Sequence, residues 1–461
     1  MKLVSLLVIG VAASVLAFGA PAVKETPPPG TAPKPFKLAA TDDFTLPNGM
    51  QVTLVPYGSV PKVAVRAYID AGAIREPADK IWISKLTALL MKEGTAKRSA
   101  EQIASETADM GGQLEIEARR DSAVAGSVVL SEYGSSFVAL LADVLANASL
   151  PSSELPRLKA DLVRQLTVDK AQPNSLARER FFQVLFPDQP YGRTYPSNEM
   201  LNGYKLEDAR AFFDENFAAS RAHLYVVGQF DPAIKDAIQQ SFTAWKKGQA
   251  APLPPAKPAQ QYSLQQINRP GAAQSTLYVG LPVAGPKSAD YITLDVMDSL
   301  LGGSFASRIT TNIREAKGYT YSPFSFVGEA GHQSYWAEAA DVTTAVTGPA
   351  LHEIFAEVNR LRKDPPSQQE LKGIQSYLSG LFVLKNTISP DAVISQLHFV
   401  DYQRLDRSFL FTYVQKVDAV SPSDIQRVTE TYLAPSKMTV VVVGDQAKVG
   451  EQLKPFETAP H

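Results

Sequence analysis

The sequence predicts an α/β protein built of two similar halves, and three observations carry that prediction. Two proline-rich stretches, KETPPPGTAPKPFK (Lys24–Lys37) and KKGQAAPLPPAKPAQQ (Lys246–Gln261), read as extended and solvated. They bound two segments of nearly equal length, residues 39–245 and 262–461. Within each segment, strand-like runs alternate with helices of ten or more residues, the pattern of α/β layers. Four landmarks also recur in the same order in both segments, which favours duplication over chance repetition of common elements.

The chain opens on MKLVSLLVIGVAASVLAFGAPA, with no charged residue from Leu3 to Ala22. Small residues at Ala17/Gly19 and Ala20/Ala22 offer cleavage sites, so residues 1–22 read as a secretory signal peptide. A retained anchor is the alternative, since the run is about long enough to span a bilayer. The Gly/Ala-rich second half and the proline-rich spacer behind it (23–38) favour cleavage. There is no cysteine, which excludes a lipoprotein anchor and a disulfide framework. The expectation is an exported chain, secreted or periplasmic, held together by packing and not membrane-bound after signal removal.

Each half then opens on a β-rich run, VAVRAYIDAG (Val63–Gly72) and STLYVGLPV (Ser275–Val283). An apolar-periodic helix ending in glycine follows, over Ile81–Gly94 and Ala289–Gly303. In the second, Ile292, Val296, Met297, Leu300 and Leu301 share one helical stripe. In the first, IWISKLTALLMKEGTAKRSAEQIA, the helix stops at Gly94-Thr95 and restarts. A long helix comes later, opening near SSELPRLKADLVRQL (Ser152–Leu166) and SQQELKGIQSYLSGLF (Ser367–Phe382), each with serine and an acidic first turn as a start signal. Each half closes on a buried strand ending in glycine, AHLYVVGQFDP (Ala222–Pro232) and MTVVVVGDQAK (Met438–Lys448). The Lys246–Gln261 linker would let the halves hinge.

Composition removes several function classes. The apolar fraction of 45% and charged fraction of 20% are those of a globular protein. A formal charge of −2, without basic blocks, gives no electrostatic case for nucleic acid. The five histidines, His223, His332, His352, His398 and His461, show no metal-ligand spacing. No G-x-S-x-G or P-loop occurs, and no thiol nucleophile is possible.

One segment stands out, SLLGGSFASRITTNIREAKGYTYSPFSF (Ser299–Phe326). A helix ends at Gly302-Gly303, a second starts around Ser304 and runs through Ile313, and Gly318 stops it. Arg314 falls in the last turn, where a cation suits the helix dipole, and Tyr321 lies just past the break. Read conservatively, Arg314 is a solvated helix end and Tyr321 half-buried strand packing.

The glycine pair, Ser307-Arg308, Arg314-Glu315, Gly318 and Tyr321 resemble the C-terminal-half signature of the M16 (insulinase/pitrilysin-like) metallopeptidases, which include the mitochondrial processing peptidase subunits. FTLPNGMQVTLVP, KEGTAKRSAEQIASETADMGGQLE and QPYGRTYPSNEMLNGYKLEDARAFFDENFAASRAHLYVVGQFDP agree. The resemblance runs from about Asp42 to Phe456. It implies an α/β (α+β) metallohydrolase fold: tandem duplicated two-layer sandwiches, each a mainly antiparallel sheet with helices on one face.

Active members carry an inverted zinc motif, H-x-x-E-H, ending five residues before the Gly-Thr. Histidines at i and i+4 on one helical face bind zinc, and the glutamate serves as general base. Counting back from Gly94 puts the three positions at Lys85, Ala88 and Leu89, with a more distant glutamate ligand near Gln165. None suits zinc, so no metal is expected on this chain. The family's arginine and tyrosine, seven residues apart, are matched by Arg314 and Tyr321, a pair suited to holding peptide carbonyls and developing negative charge. The resemblance therefore implies a non-catalytic, substrate-binding subunit of a heterodimeric zinc peptidase. Its partner would be a homologous M16 chain carrying the zinc motif, and its substrates peptides. A structural or peptide-holding pseudoenzyme is the alternative. Arg308 is expected to cap or pair within the fold.

Overall fold

Burial on both faces of the central strands decides how the two halves of this protein are joined. The structure, a computed structural model, describes residues 38–254 and 256–460. The expected leader (1–22) and nearly all of the first spacer (23–38) lie outside the described residues. Among the described residues, no helix is long and apolar enough to cross a membrane.

The first half contains strands β1 (Asp42–Thr45), β2 (Gln51–Pro56), β3 (Lys62–Ile69), β4 (Glu115–Ala118), β5 (Ala123–Leu130) and β6 (Ala222–Gly228) in one sheet, ordered β1-β2-β6-β3-β5-β4. The second contains β7 (Ser263–Asn268), β8 (Gln274–Val283), β9 (Phe324–Ala330), β10 (Gln333–Thr343) and β11 (Thr439–Gly444), ordered β7-β11-β8-β10-β9. Without the extra edge strand β1, the two orders match strand for strand. In each sheet the last strand returns parallel to the first, β6 on β2 and β11 on β7, and every other pairing is antiparallel. The duplication legible in the sequence thus has a counterpart in topology.

Each half packs its own helices on one face of its sheet. Val63, Val65, Ala67 and Ile69, alternate residues of β3, meet Leu86 and Leu90 of the helix Ile83–Met91 and Phe137 and Leu141 of the helix Gly134–Asn147 in one core. The intervening residues Ala64 and Tyr68, with Tyr225 and Val227, face the other way. They are covered by Val393, Ile394, Leu397 and Val400 of the helix Pro390–Tyr402, which belongs to the second half. The exchange is reciprocal. Phe181, Phe182 and Leu185 of the helix Pro173–Leu185 cover Tyr278, Tyr335, Val441 and Val443 of the second sheet.

This exchange corrects the reading of the linker as a solvated hinge. Arg75 donates to the carbonyls of Ala251 and Pro252 at 3.0 and 2.8 Å, and Arg221 to that of Gln249 at 2.8 Å. Leu253 and Ala256 pack against the core beneath the Pro173–Leu185 helix. The proline-rich composition gave extended backbone, but side chains from the first half pin it down.

Around the opening stretch, the helix Ile83–Met91 ends and Gly94 turns at φ +138°, where an added Cβ would stand 3.0 Å from the Arg98 carbonyl oxygen. Ser99 then caps the helix Ala100–Asp109 in a reciprocal capping box with Gln102. The two long helices start differently from each other. Ser367 caps Gln368–Asn386, accepting from the Glu370 amide at 3.1 Å. Its counterpart begins only at Leu155, with Pro156 in the first turn and no side-chain cap. There proline, not serine, sets the start.

Candidate functional site

The geometry isolates two places, one in each half. The first is built on the helix Ile83–Met91. Its N-terminus is fixed by Glu76, whose buried carboxylate accepts from the amides of Trp82 and Ser84 at 2.9 and 3.0 Å. Burial pushes the Glu76 carboxyl up to about 7, against these hydrogen bonds. Trp82 adopts φ +71°, a conformation that costs a bulky residue of order 1–3 kcal/mol, and its ring N–H donates to the Thr194 carbonyl at 3.0 Å.

The helix so aimed brings Lys85, Ala88 and Leu89 into one pocket of about 330 Å³, walled by Ile116, Glu117 and Ala118 of β4. Lys85 places its ammonium 4.2 Å from the centre of the Trp82 ring. Burial lowers its pKa, with Asp169, Glu117 and Glu76 pulling the other way. Gln165 is not brought in: it is exposed on the helix Leu155–Ala171 and does not line the pocket. These residues do not fit a zinc ion. An ammonium has no free lone pair, Ala88 and Leu89 have no donor, and the Gln165 amide faces solvent. Among the described residues, no group of three or more His, Asp or Glu could hold a metal.

The second place is the glycine-rich segment. The helix Tyr291–Asp298 continues as a π-wound turn over Ser299–Gly303. The next helical stretch begins at Arg308, not at Ser304 as the sequence suggested, and is π-wound over Thr310–Ala316. Such windings are rare and concentrate at functional positions. Gly302 lies so close over β9 and β10 that a Cβ would meet Glu338 Oε2 and Ser325 Oγ at 2.5 Å each. Beneath it, burial raises the Asp298 carboxyl to about 7 and that of Glu338 well above its ordinary value.

From this platform Arg314 points between two rings, its guanidinium carbon 4.3 Å from the Phe305 ring centre and 5.1 Å from that of Tyr321. Tyr321 is 80% exposed and Phe305 70%. Half-buried strand packing therefore does not account for Tyr321, since β9 starts only at Phe324. Nor is Arg314 a freely solvated helix end, its side chain being 21% exposed. The two residues line a shallow pocket of about 290 Å³ with Gly302 and Gly303. That pocket shares no residue with the one at Lys85. Arg308 is spent within the fold, gripping Glu370 with two bonds of 2.7 and 2.9 Å.

A third polar cluster escaped the sequence reading. His223, His332 and His398, separated by long stretches of chain, line one cavity of about 300 Å³ between the halves. Tyr225 donates to Asp401 at 2.9 Å, His223 stacks on Tyr225, and His398 on Tyr68 at 3.7 Å. Burial lowers His223 to about 4 and His398 to about 3, so both are neutral at pH 7. Their partners make this a joint between the halves.

Comparison with known proteins covers both halves of the chain. The family described as insulinase (peptidase family M16) matches residues 52–196, and the peptidase M16 inactive domain matches residues 204–378. An uncharacterized zinc protease of Rickettsia felis is 26% identical over 352 residues, covering 75% of this chain and 84% of that protein. The beta subunit of the mitochondrial-processing peptidase of Lentinula edodes is 24% identical over 433 residues, covering 88% and 90%. Among solved structures, a peptidase M16 inactive domain from Pseudomonas fluorescens superposes with a TM-score of 0.80 at 22% identity, covering 88% of this chain and 98% of the other. With both halves matched in order and the duplicated sheets in place, this chain belongs to the M16 peptidase family.

Proposed function

We propose that this chain is an exported, non-catalytic, substrate-binding subunit of a heterodimeric M16 zinc peptidase, lending Arg314 and Tyr321 to the zinc site of a homologous partner. The observation that carries this reading is the pairing of a donor-free helix at Lys85, Ala88 and Leu89 with Arg314 packed beside an exposed Tyr321. A zinc ion would belong to the partner. This chain would supply recognition and charge stabilisation.

The pair suits that task physically. Contacts with the Phe305 and Tyr321 rings restrict the guanidinium, so less side-chain entropy is lost when it meets a peptide carbonyl. The Tyr321 hydroxyl stands in solvent, free to donate to an oxygen that gains charge during hydrolysis. A purely structural subunit has no use for a partly buried arginine aimed beside an exposed tyrosine hydroxyl. The relative named as a subunit of a processing peptidase is consistent with a two-chain assembly. Export rests on the apolar segment at residues 1–22.

Co-expression with an H-x-x-E-H-bearing homologue, followed by analytical ultracentrifugation, tests assembly. A stable one-to-one complex is expected. Two species sedimenting independently at micromolar concentration would defeat the proposal.

A further inference from the structure

We infer that the pocket beside Lys85 is a carboxylate-binding subsite for peptide, taking the C-terminal carboxylate of a chain that ends in an apolar residue. The inference rests on the peptide-holding reading above and narrows it to one ligand chemistry. The pocket is lined by Lys85, Arg119, Arg120 and Arg193, against two carboxylates, Glu76 and Glu117. Both carboxylates are engaged. Glu117 accepts from Arg119 at 2.9 Å at the exposed rim, and Glu76 caps the helix through the Trp82 and Ser84 amides. Among the described residues, Lys85, Arg120 and Arg193 are left without an ion pair.

Asp169, Glu117 and Glu76 act on Lys85, and Glu76 on Arg193, only from beyond ion-pair contact; what these cations touch is aromatic rings and backbone. Lys85 lies over Trp82, Arg120 lies 3.9 Å over the Phe182 ring, and Arg193 reaches the Glu76 carbonyl at 3.4 Å. A ring face attracts a cation through its quadrupole but carries no net charge, so it leaves the cation's charge uncancelled. The pocket therefore keeps a positive field at a spot where water is partly excluded, and charges interact more strongly there than at an open surface. Ala88, Leu89, Ile116 and Pro190 complete the lining with apolar surface. Cations beside an apolar wall match a carboxylate attached to an apolar side chain, which is the end of a peptide. An aspartate or glutamate side chain offers the same carboxylate without the apolar group.

The test uses fluorescein-labelled nonapeptides of mixed sequence ending in leucine: as the free acid, as the C-terminal amide, and as the amide with one internal glutamate. Each is titrated against the full chain by anisotropy at 50 and 300 mM NaCl. The free acid is expected to bind at least ten-fold more tightly than the amide, with the gap narrowing at high salt. Lys85→Met should bring the acid down to the affinity of the amide, and Lys85→Arg should restore most of the preference. An internal-glutamate amide that binds as the free acid does would assign the same carboxylate site to a side chain. Equal binding of all three peptides to the wild-type chain, or a preference that survives Lys85→Met, overturns the subsite alone. If no peptide binds, the peptide-holding reading falls with it. The acid–amide comparison on the wild-type chain needs no variant, so it stands even if Lys85→Met fails to fold.

Discussion

Replacing Tyr321 by phenylalanine removes one hydroxyl from a side chain that is 80% exposed and spares the ring against which Arg314 packs. The fold should hardly register the change, because exposed substitutions of this kind stay within about 0.5 kcal/mol. In the partnered peptidase the expected cost is much larger. Loss of one pre-aimed donor to a developing oxyanion costs about 2.7–4 kcal/mol, roughly a hundred- to a thousand-fold in turnover. A hydrogen bond to a ground-state carbonyl would cost only about 0.5–1.5 kcal/mol. Arg314→Ala removes a charge-assisted donor and also two ring contacts, each worth about 0.5–1 kcal/mol at an exposed site. It should therefore lower Tm slightly, raise KM and reduce kcat. The assay is steady-state peptide hydrolysis by the reconstituted pair, with Tm measured in parallel. A drop confined to kcat for Tyr321→Phe identifies a transition-state role, and a rise in KM alone identifies substrate holding. Wild-type kinetics in both variants would refute the reasoning and return the pair to a structural role.

Three further outcomes are expected. The isolated chain should carry no stoichiometric zinc by elemental analysis; combining Lys85→His, Ala88→Glu and Leu89→His should give weak zinc binding and little activity, because Gln165 faces solvent. Arg308→Ala, which breaks the two-bonded pair with the partly buried Glu370, should cost roughly 2–3 kcal/mol in chemical denaturation while leaving kinetics intact in whatever remains folded. Burial holds the Asp298 carboxyl up to about 7, so the folded chain keeps a proton that the unfolded chain releases near 4. The stability from that proton is present at low pH and is lost as pH rises through 7, about 2–3 kcal/mol between pH 5 and 8. Asp298→Asn should therefore gain on the wild type by that amount over the interval, and a difference independent of pH would contradict the assignment.

Much of the architecture was legible because its signals are local. The β-rich, largely apolar run of VAVRAYIDAG and the unbroken apolar run of MTVVVVGDQAK mark central strands, and Gly94 marks a backbone position at φ +138°. The helix exchange between the halves was not legible. Phe181 and Val393 carry ordinary core signals, and nothing local says which sheet they will cover. Docking of the linker is hidden for a related reason: its prolines dictate extended backbone, but Arg75 and Arg221, far away in sequence, pin it down. In the candidate site, spacing placed Lys85, Ala88 and Leu89 on one helical face, and the structure sets all three in one pocket. Glu76 has a usable local signal, an acidic residue shortly before a helix that lacks a Ser, Thr, Asp or Asn cap. Arg120 and Arg193 reach the pocket only through tertiary structure, so no motif could have announced them.

The account turns on whether this chain contributes to hydrolysis without performing it. The most direct measurement is the rate of cleavage of a mixed peptide substrate by the purified chain, by an H-x-x-E-H-bearing homologue, and by their equimolar mixture, each with and without a zinc chelator. The account predicts little or no cleavage by either chain alone and chelator-sensitive cleavage by the mixture. A homologue that is fully active by itself and indifferent to this chain, or zinc-dependent cleavage by this chain alone, would contradict it.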